Sequence, residues 1–437
     1  MKGLNTRQSE STTQRQMAQI PPLLIVEPAA AKRRAAGIAA RKGSRLDLES
    51  IKGQLVEVRR HCRDNQASLM EEYERNLAQF AGAGRTVAPD AAQAASYVKQ
   101  LAGHTELVSI NNSSVVVNEL RPQLEAAGLK THVRYFKEFD RFERRIEDYW
   151  DLPGLHEKGL VESFDVARRI ENLGSDEVRD YLAVVGVNAV CAADGSVFFL
   201  QHMANIWKDL RQAKKIVLVV TPEKVVPDRA AALLQTRAMG VFGLESVLLD
   251  LGPKEVERYD FERLPTIPAD REVHVLILDN GRAELFADRH RDLFLCMDCR
   301  ACARQCPIGQ HVDAGGMIWS PKNYLMGFLQ GLVHSTEDCL HCGRCEVECP
   351  VDIDIPGLIW RARLDHYAKH PRSWKKRILD QPERLAKMGS MTAPVSNWAG
   401  RLSVFRRILQ AVAGVHRKAR LPEFHRRTFM KWVSRRE

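Results

Sequence analysis

The chain has 437 residues, 45% hydrophobic and 27% charged, with ten cysteines and a formal net charge of +10. That length and apolar content allow roughly two or three domains with hydrophobic cores and exclude a largely disordered chain. No apolar run reaches the roughly 18 uninterrupted residues of a membrane-spanning helix, which excludes that class of integral protein.

The positive charge is concentrated at the ends. Residues 1–45 carry +7 and residues 361–437 carry +15, leaving the middle at −12. Basic ends attached to an acidic body read as partner-seeking segments. No helix-turn-helix, zinc-finger or aromatic RNA-binding signature accompanies them, so nucleic acid is not expected as a partner. The stretch IPPLLIVEPAAAKRR has its basic cluster on the wrong side for a secretory signal. The thiols are therefore expected in a reducing, cytoplasmic setting.

In chain order, residues 1–45 are rich in Ser, Thr, Gln, Ala and Arg without a period and predict a flexible basic arm. From Asp47 to Phe80, Ile51, Leu55, Val58, Cys62, Leu69, Tyr73, Leu77 and Phe80 recur at mostly helical spacing, predicting a long amphipathic helix broken near Asn65. Alternating units follow: a helix from Pro89 to about Leu101, a strand at LVSIN, a helix through VVVNELRPQLEAAG capped by Gly128, and a strand at THVRYF. YLAVVGVNAV and SVFFL flank Ala-Ala-Asp-Gly, a hairpin signal. KKIVLVV, SVLLD and EVHVLILDN add three strands, and the alternation predicts a layered α/β domain with a largely parallel sheet.

No G-x-G-x-x-G follows a strand, and GAGR at 82–85 reads as a helix stop. No local nucleophile motif occurs. Gln201-His202, after the hairpin, is the one candidate for substrate chemistry in this region, and a satisfied buried histidine is the plainer reading of it.

Two stretches carry most of the chemical information, CMDCRACARQCP at 296–307 and CLHCGRCEVECP at 339–350. A cubane iron–sulfur cluster needs one thiolate per iron. In paired C-x2-C-x2-C-x3-C-P motifs the fourth cysteine serves the other motif's cluster. The spacing therefore assigns Cys296, Cys299, Cys302 and Cys349 to one [4Fe–4S] cluster and Cys339, Cys342, Cys345 and Cys306 to a second. Eight cysteines also suffice for two zinc ions, but structural zinc sites take their ligands as separated pairs. Cys62 and Cys191 read as buried small residues. Arg300, Arg304 and Arg344 are candidates for raising cluster potentials.

Between the motifs, Ser320 as N-cap and Pro321 at the first position predict a helix with Tyr324, Leu325, Phe328, Leu329 and Leu332 on one side. After the second motif Asp354 is placed to cap another helix. The cysteine-rich region is thus expected to be an α-helical ferredoxin domain. WAGRLSVFRRILQAVAG gathers Trp398, Leu402, Phe405, Ile408, Leu409 and Val412 on one face, with Arg401, Arg406 and Arg407 elsewhere. Such a basic amphipathic helix suits an anionic membrane surface or a partner's groove.

YERNLAQF, LEAAGLKTHV, AVCAADGSVFFL, IVLVVTPEKVVP and EVHVLILDNGR, followed by the cysteine motifs, resemble the lactate-utilisation iron–sulfur subunits of the LutB/LldF type. INNSSVVVNEL stands where those proteins carry a Lys-Ser-containing stretch. The resemblance implies a Rossmann-like α/β LUD domain at 46–282, an α-helical dicluster ferredoxin domain at 283–370 and a basic tail for partner docking at 371–437. It implies a non-catalytic electron-transfer subunit of a complex oxidising lactate or a related 2-hydroxyacid. The implied partners are a flavin subunit and a CCG-type iron–sulfur subunit on a separate chain, or quinone. MIWSPKNYLMGFLQGLVHS is also similar to the ferredoxin-like component of heterodisulfide reductases, which passes electrons between a partner and a cysteine-rich catalytic chain. Two alternatives stay open: an LUD domain that binds and converts a small acid, and a protein whose clusters are structural and whose basic ends contact nucleic acid.

Overall fold

The computed structural model describes residues 20–28, 48–80, 83–105, 107–133, 179–200, 205–243, 259–263, 271–285, 287, 289–309 and 317–434. Gln201-His202, the SVLLD strand and most of the basic arm lie outside them. The chain divides into two compact units, Met1–Ala362 and Arg363–Glu437. The α/β region and the cysteine motifs share the first.

That unit contains two sheets. Strands β1 (Leu23–Pro28), β6 (Ala189–Cys191), β7 (Val197–Leu200), β9 (Val225–Val226) and β10 (Tyr259–Arg263) form a mixed sheet in the order β10-β1-β7-β6-β9. Strands β2 (Ala83–Ala88), β3 (Leu107–Ile110), β4 (Lys130–Val133), β5 (Arg179–Gly186), β8 (Ala213–Val220) and β11 (Glu272–Leu278) form a wholly parallel sheet in the order β2-β11-β8-β5-β3-β4.

Continuous apolar runs such as IVLVV in β8 explain the parallel sheet, because a strand buried on both faces needs no polar alternation. Leu182, Val184, Val217, Val219, Leu276 and Leu278 point into one core, whereas Ala183, Val185, Ile216, Leu218, Val275 and Ile277 point into another. Helices α1 (Leu48–Asp64) and α2 (Gln66–Leu77) break at Asn65, whose side-chain amide donates to the His61 carbonyl at 2.9 Å. Helix α3 (Ala91–Ala102) starts at Asp90, which accepts from the Gln93 amide at 2.8 Å as a side-chain N-cap does.

Three local readings change. Residues 23–28 of the expected arm form a strand, since LLIV pairs with both β7 and β10. The hairpin exists, but only β6 and β7 make it. Upstream, the Val187 amide still bonds Val219 of the parallel sheet, whereas the Asn188 amide bonds Phe198 of the mixed one. The chain thus changes sheets at Val187-Asn188. The AGR of GAGR opens β2 rather than ending a helix. The helix after β3 begins as a π-helical segment, Val115–Leu120, and continues as α4 (Arg121–Ala126), with Gly128 beyond it at φ 87°.

Helices α5 (Asn205–Gln212) and α6 (Arg229–Phe242) flank β8, and short α7 (Arg282–Leu285) follows β11. Helix α8 (Pro321–Leu329) lies between the cysteine motifs, α9 (Arg344–Val347) within the second, and α10 (Ile355–Lys369) after it. The expected caps are present: Ser320 accepts from the Asn323 amide at 3.0 Å and Asp354 from the Gly357 amide at 2.7 Å.

The second unit consists of α11 (Trp374–Leu379), α12 (Pro382–Met391), α13 (Val395–Arg401), α14 (Ser403–Ala413) and α15 (Phe429–Val433). The expected amphipathic helix over 398–414 is divided at Leu402, whose extended backbone separates α13 from α14. Trp398, Leu402, Phe405, Ile408 and Val412 are all exposed. Arg406 is turned inward, donating to the carbonyls of Gly400, Arg417 and Ala419.

Candidate metal centre

Both cysteine loops repeat one backbone shape. Asp298 and Arg300 flank the second cysteine of the first loop at φ 65° and 59°, and His341 and Gly343 flank that of the second at 51° and 78°. Three of these four are not glycine, and a left-handed residue with a side chain carries a conformational cost that persists only when surroundings hold it. The turns curl the loop so that backbone donors face sulfur. The Asp298 amide reaches Cys296 Sγ at 3.3 Å and the Ile353 amide reaches Cys349 Sγ at 3.5 Å.

The thiols sort into two groups. Burial raises the Cys299 thiol well above its usual range, and the charges of Cys296, Cys349 and Cys302 raise it further. Cys302 is raised by burial, then by Cys296, Cys349 and Cys345. Cys345 is pushed up to about 12 by burial and by Cys339, Cys306 and Cys342. Thus Cys349, from the second motif, lies with Cys296, Cys299 and Cys302, and Cys306, from the first, lies with Cys339, Cys342 and Cys345. Cys302 and Cys345 are the point at which the groups neighbour each other. Cys306, Cys339, Cys342 and Cys345 also line one solvent-open cavity of about 450 Å³, walled by Trp319, Tyr324 and Ile359.

Four clustered thiols resist joint ionisation unless a cationic group compensates them, so this donor set fits a bound metal cluster. Among the described residues no three of His, Cys, Asp or Glu converge on a single ion-sized point. Cys62 and Cys191 are buried elsewhere, as expected.

The first loop is clamped to the α/β body by cations that the sequence did not single out. Arg59, fully buried on α1, donates to the carbonyls of Leu295 at 3.1 Å, Glu223 at 2.9 Å and Phe294, and to Gln235 Oε1 at 2.7 Å. Lys224 Nζ donates to the Met297 carbonyl at 2.7 Å. Arg304 reaches the carbonyls of Phe242 and Gly243 at the end of α6, both at 2.9 Å, and Glu348 at 3.4 Å. Of the three loop arginines, Arg304 thus holds the loop against its neighbours, Arg300 sits beside Cys299, and Arg344 is exposed. Gly243 has no substitute here: a Cβ would stand 2.2 Å from the Met239 oxygen and 2.9 Å from that of Cys299.

Arg282, from the DNGR stretch, is buried between Glu119 at 2.6 Å and Glu223 at 3.0 Å. Burial alone would raise the Glu223 carboxyl, but the charges of Arg282, Lys322 and Lys224 override it and hold it at about 2. Gln330, just past α8, donates to Glu119 at 2.9 Å, and Asn323 of α8 donates to Ser114 at 3.0 Å. One buried polar network therefore joins the parallel sheet to the helix between the motifs.

Comparisons with known proteins agree with this layout. The 4Fe-4S dicluster domain family matches residues 295–353. The chain is 27% identical over 207 residues to the electron transport protein YkgF of Escherichia coli K12, covering 44% of this chain and 42% of that protein. It is 26% identical over 235 residues to lactate utilization protein B of Bacillus cytotoxicus, covering 49% and 48%. With lactate utilization protein B of Geobacillus thermodenitrificans it shares 24% identity over 344 residues, 70% of each chain. The first of these matches span about half of the relatives' length. No solved structure matches the chain.

Proposed function

We propose that the protein is the iron–sulfur electron-transfer subunit of an oxidoreductase complex that oxidises lactate or a related 2-hydroxyacid. Cys296, Cys299, Cys302 and Cys349 hold one [4Fe–4S] cluster, and Cys339, Cys342, Cys345 and Cys306 hold a second. When bound, such clusters accept and release single electrons over a range of potentials set by charge, hydrogen bonds to sulfur and exposure. The observation that supports this reading is that Cys349 lies among the thiols of the first loop and Cys306 among those of the second, in two loops with left-handed residues at matching positions.

The residues around the two groups give them different tasks. Arg59, Lys224 and Arg304 fix the inner loop against the α/β body, so its thiols keep their spacing as charge changes. The outer group faces solvent through Cys342, with Leu340 at 65% and Val347 at 83% exposure beside it, a surface suited to a transient redox partner. The exposed apolar residues of 363–437, among basic ones, would dock the chain to a flavin subunit and a CCG-type subunit or to a quinone-bearing membrane surface. Among the described residues no helix is long and apolar enough to cross a membrane.

The test is to mix the purified chain, with its metal content measured, with lactate and an artificial acceptor, alone and with a flavin-containing 2-hydroxyacid dehydrogenase. Bleaching of the visible iron–sulfur band only when the flavoprotein is present supports the reading. Turnover of lactate by the isolated chain contradicts it.

A further inference from the structure

In the parallel sheet the chain steps outward from β3 to β4 and then returns to the other side of β3 as β5. A crevice opens where the connections leaving two adjacent parallel strands diverge, at their carboxyl ends, and this is where open α/β sheets bind ligands. The structure has a polar cavity of about 560 Å³ at that point. Asn112 and Ser113 enter it after β3 and Val187 after β5, with Lys224, Arg300 and Cys299 across from them.

We infer that this cavity is a binding site for a small hydroxycarboxylic acid. Lys224 is only 4% exposed. Its ammonium donates to the Met297 carbonyl and lies near the carboxylates of Asp298 and Glu223, which pair with Lys322 at 3.6 Å and with Arg282 at 3.0 Å. A buried ammonium with donors to spare, facing a polar space, selects an anion. The helical segment Val115–Ala126 starts at the cavity, and the first N–H groups of a helix lack intrahelical partners and carry its positive dipole end.

A second polar group specifies more than charge. Asn112 Oδ1 is shielded from solvent and, among the described residues, has no hydrogen-bond partner. It requires a donor, which a hydroxyl on the ligand supplies and a keto oxygen does not. Val187, Leu200 and Ile206 give the remaining wall an apolar character that suits a short carbon chain. Gly186 keeps the space open, since a Cβ there would lie 2.2 Å from Ser113 Oγ. The inference concerns binding alone. It depends on the cluster assignment only in that Cys299 borders the cavity.

The experiment is isothermal titration of the full, metal-loaded chain with D- and L-lactate, pyruvate, acetate and inorganic phosphate. The iron content and EPR spectrum of the same sample are recorded before and after titration. Saturable binding of a lactate enantiomer, tighter than pyruvate and phosphate and accompanied by a change in the reduced EPR spectrum, supports the site. Asn112→Ala should bring lactate down to the affinity of pyruvate, a loss of about threefold to tenfold for one hydrogen bond. Lys224→Met should abolish binding of every acid, and should Lys224→Met fail to fold, Asn112→Ala and Gly186→Ala carry the test. No saturable heat with any acid, or lactate binding untouched by both Asn112→Ala and Gly186→Ala, overturns the inference. Because iron and EPR are read on the same sample, absence of a ligand site is distinguishable from absence of the clusters.

Discussion

Cys299 and Cys342 hold the same place in two loops of the same spacing and backbone shape, yet one is buried against the end of α6 and the other is exposed to solvent. Around the first stand Lys224, Lys322 and Arg300, whereas around the second stand Leu340, Val347 and an open cavity. Identical ligand chemistry can therefore be placed in two environments by what flanks it. The inner loop is part of the folded body, and the outer loop is part of its surface.

The proposed crossing of the fourth ligands is the first place to break that comparison. Cys349→Ala lies in the second motif, yet it should remove the inner cluster and spare the outer one, lowering iron from about eight to about four atoms per chain. Cys306→Ala should do the reverse. Metal analysis with EPR of both variants checks this, and the two spectra should differ.

The next largest effect is expected at the network holding the inner loop in place. Arg282→Met leaves Glu119 and Glu223 buried without their cation, and breaking a buried ion pair costs about 3–5 kcal/mol. Denaturant unfolding should show that loss. The same network makes stability depend on acid. Glu223 is held at about 2, below its ordinary 4.5, so its contribution is full above pH 4.5 and declines as pH falls from 4.5 towards 2. Glu223→Gln should flatten this part of the stability profile, measured by unfolding at stepped pH.

Charge should separate the two loops more gently. Lys322 is buried beside Asp298 and acts on Cys296. Removing a positive charge at roughly 6–12 Å, with an effective dielectric of about 20, is worth about 1.4–2.8 kcal/mol, or about 60–120 mV for one electron. Lys322→Met should lower the inner potential by that order and leave the outer one nearly unchanged in a redox titration. The smallest thermodynamic effect belongs to the outer surface. Val347→Ser should change stability by no more than about 0.5 kcal/mol. It should still slow electron exchange with the protein partner, measured by stopped flow.

The same contrast explains what could be read from the chain. Repeated cysteine spacing, the caps at Ser320 and Asp354 and the strand runs at 213–220 and 272–278 are local signals, and a local pattern survives in sequence. Arg59 and Lys224 are not legible in that way. Each is a single cation whose importance comes from a carbonyl far along the chain, Leu295 for one and Met297 for the other. YLAVVGVNAV reads as one strand because its hydrophobicity does not change where it passes between sheets at Val187-Asn188; only the partners on either side reveal the switch. The polar cavity was hidden for a related reason, since its residues come from the ends of β3 and β5 and from the cysteine loop, which no periodicity connects. On the tail, the apolar face was legible in outline, but the break at Leu402 and the inward turn of Arg406 depend on packing within that unit.

The most direct test of the account is iron and sulfide analysis of the anaerobically purified chain, with EPR after dithionite reduction. About eight irons and eight sulfides per chain, with two magnetically interacting signals, is the predicted result for neighbouring clusters that exchange their fourth ligands. Zinc in place of iron, or one isolated signal with about four irons, would contradict it.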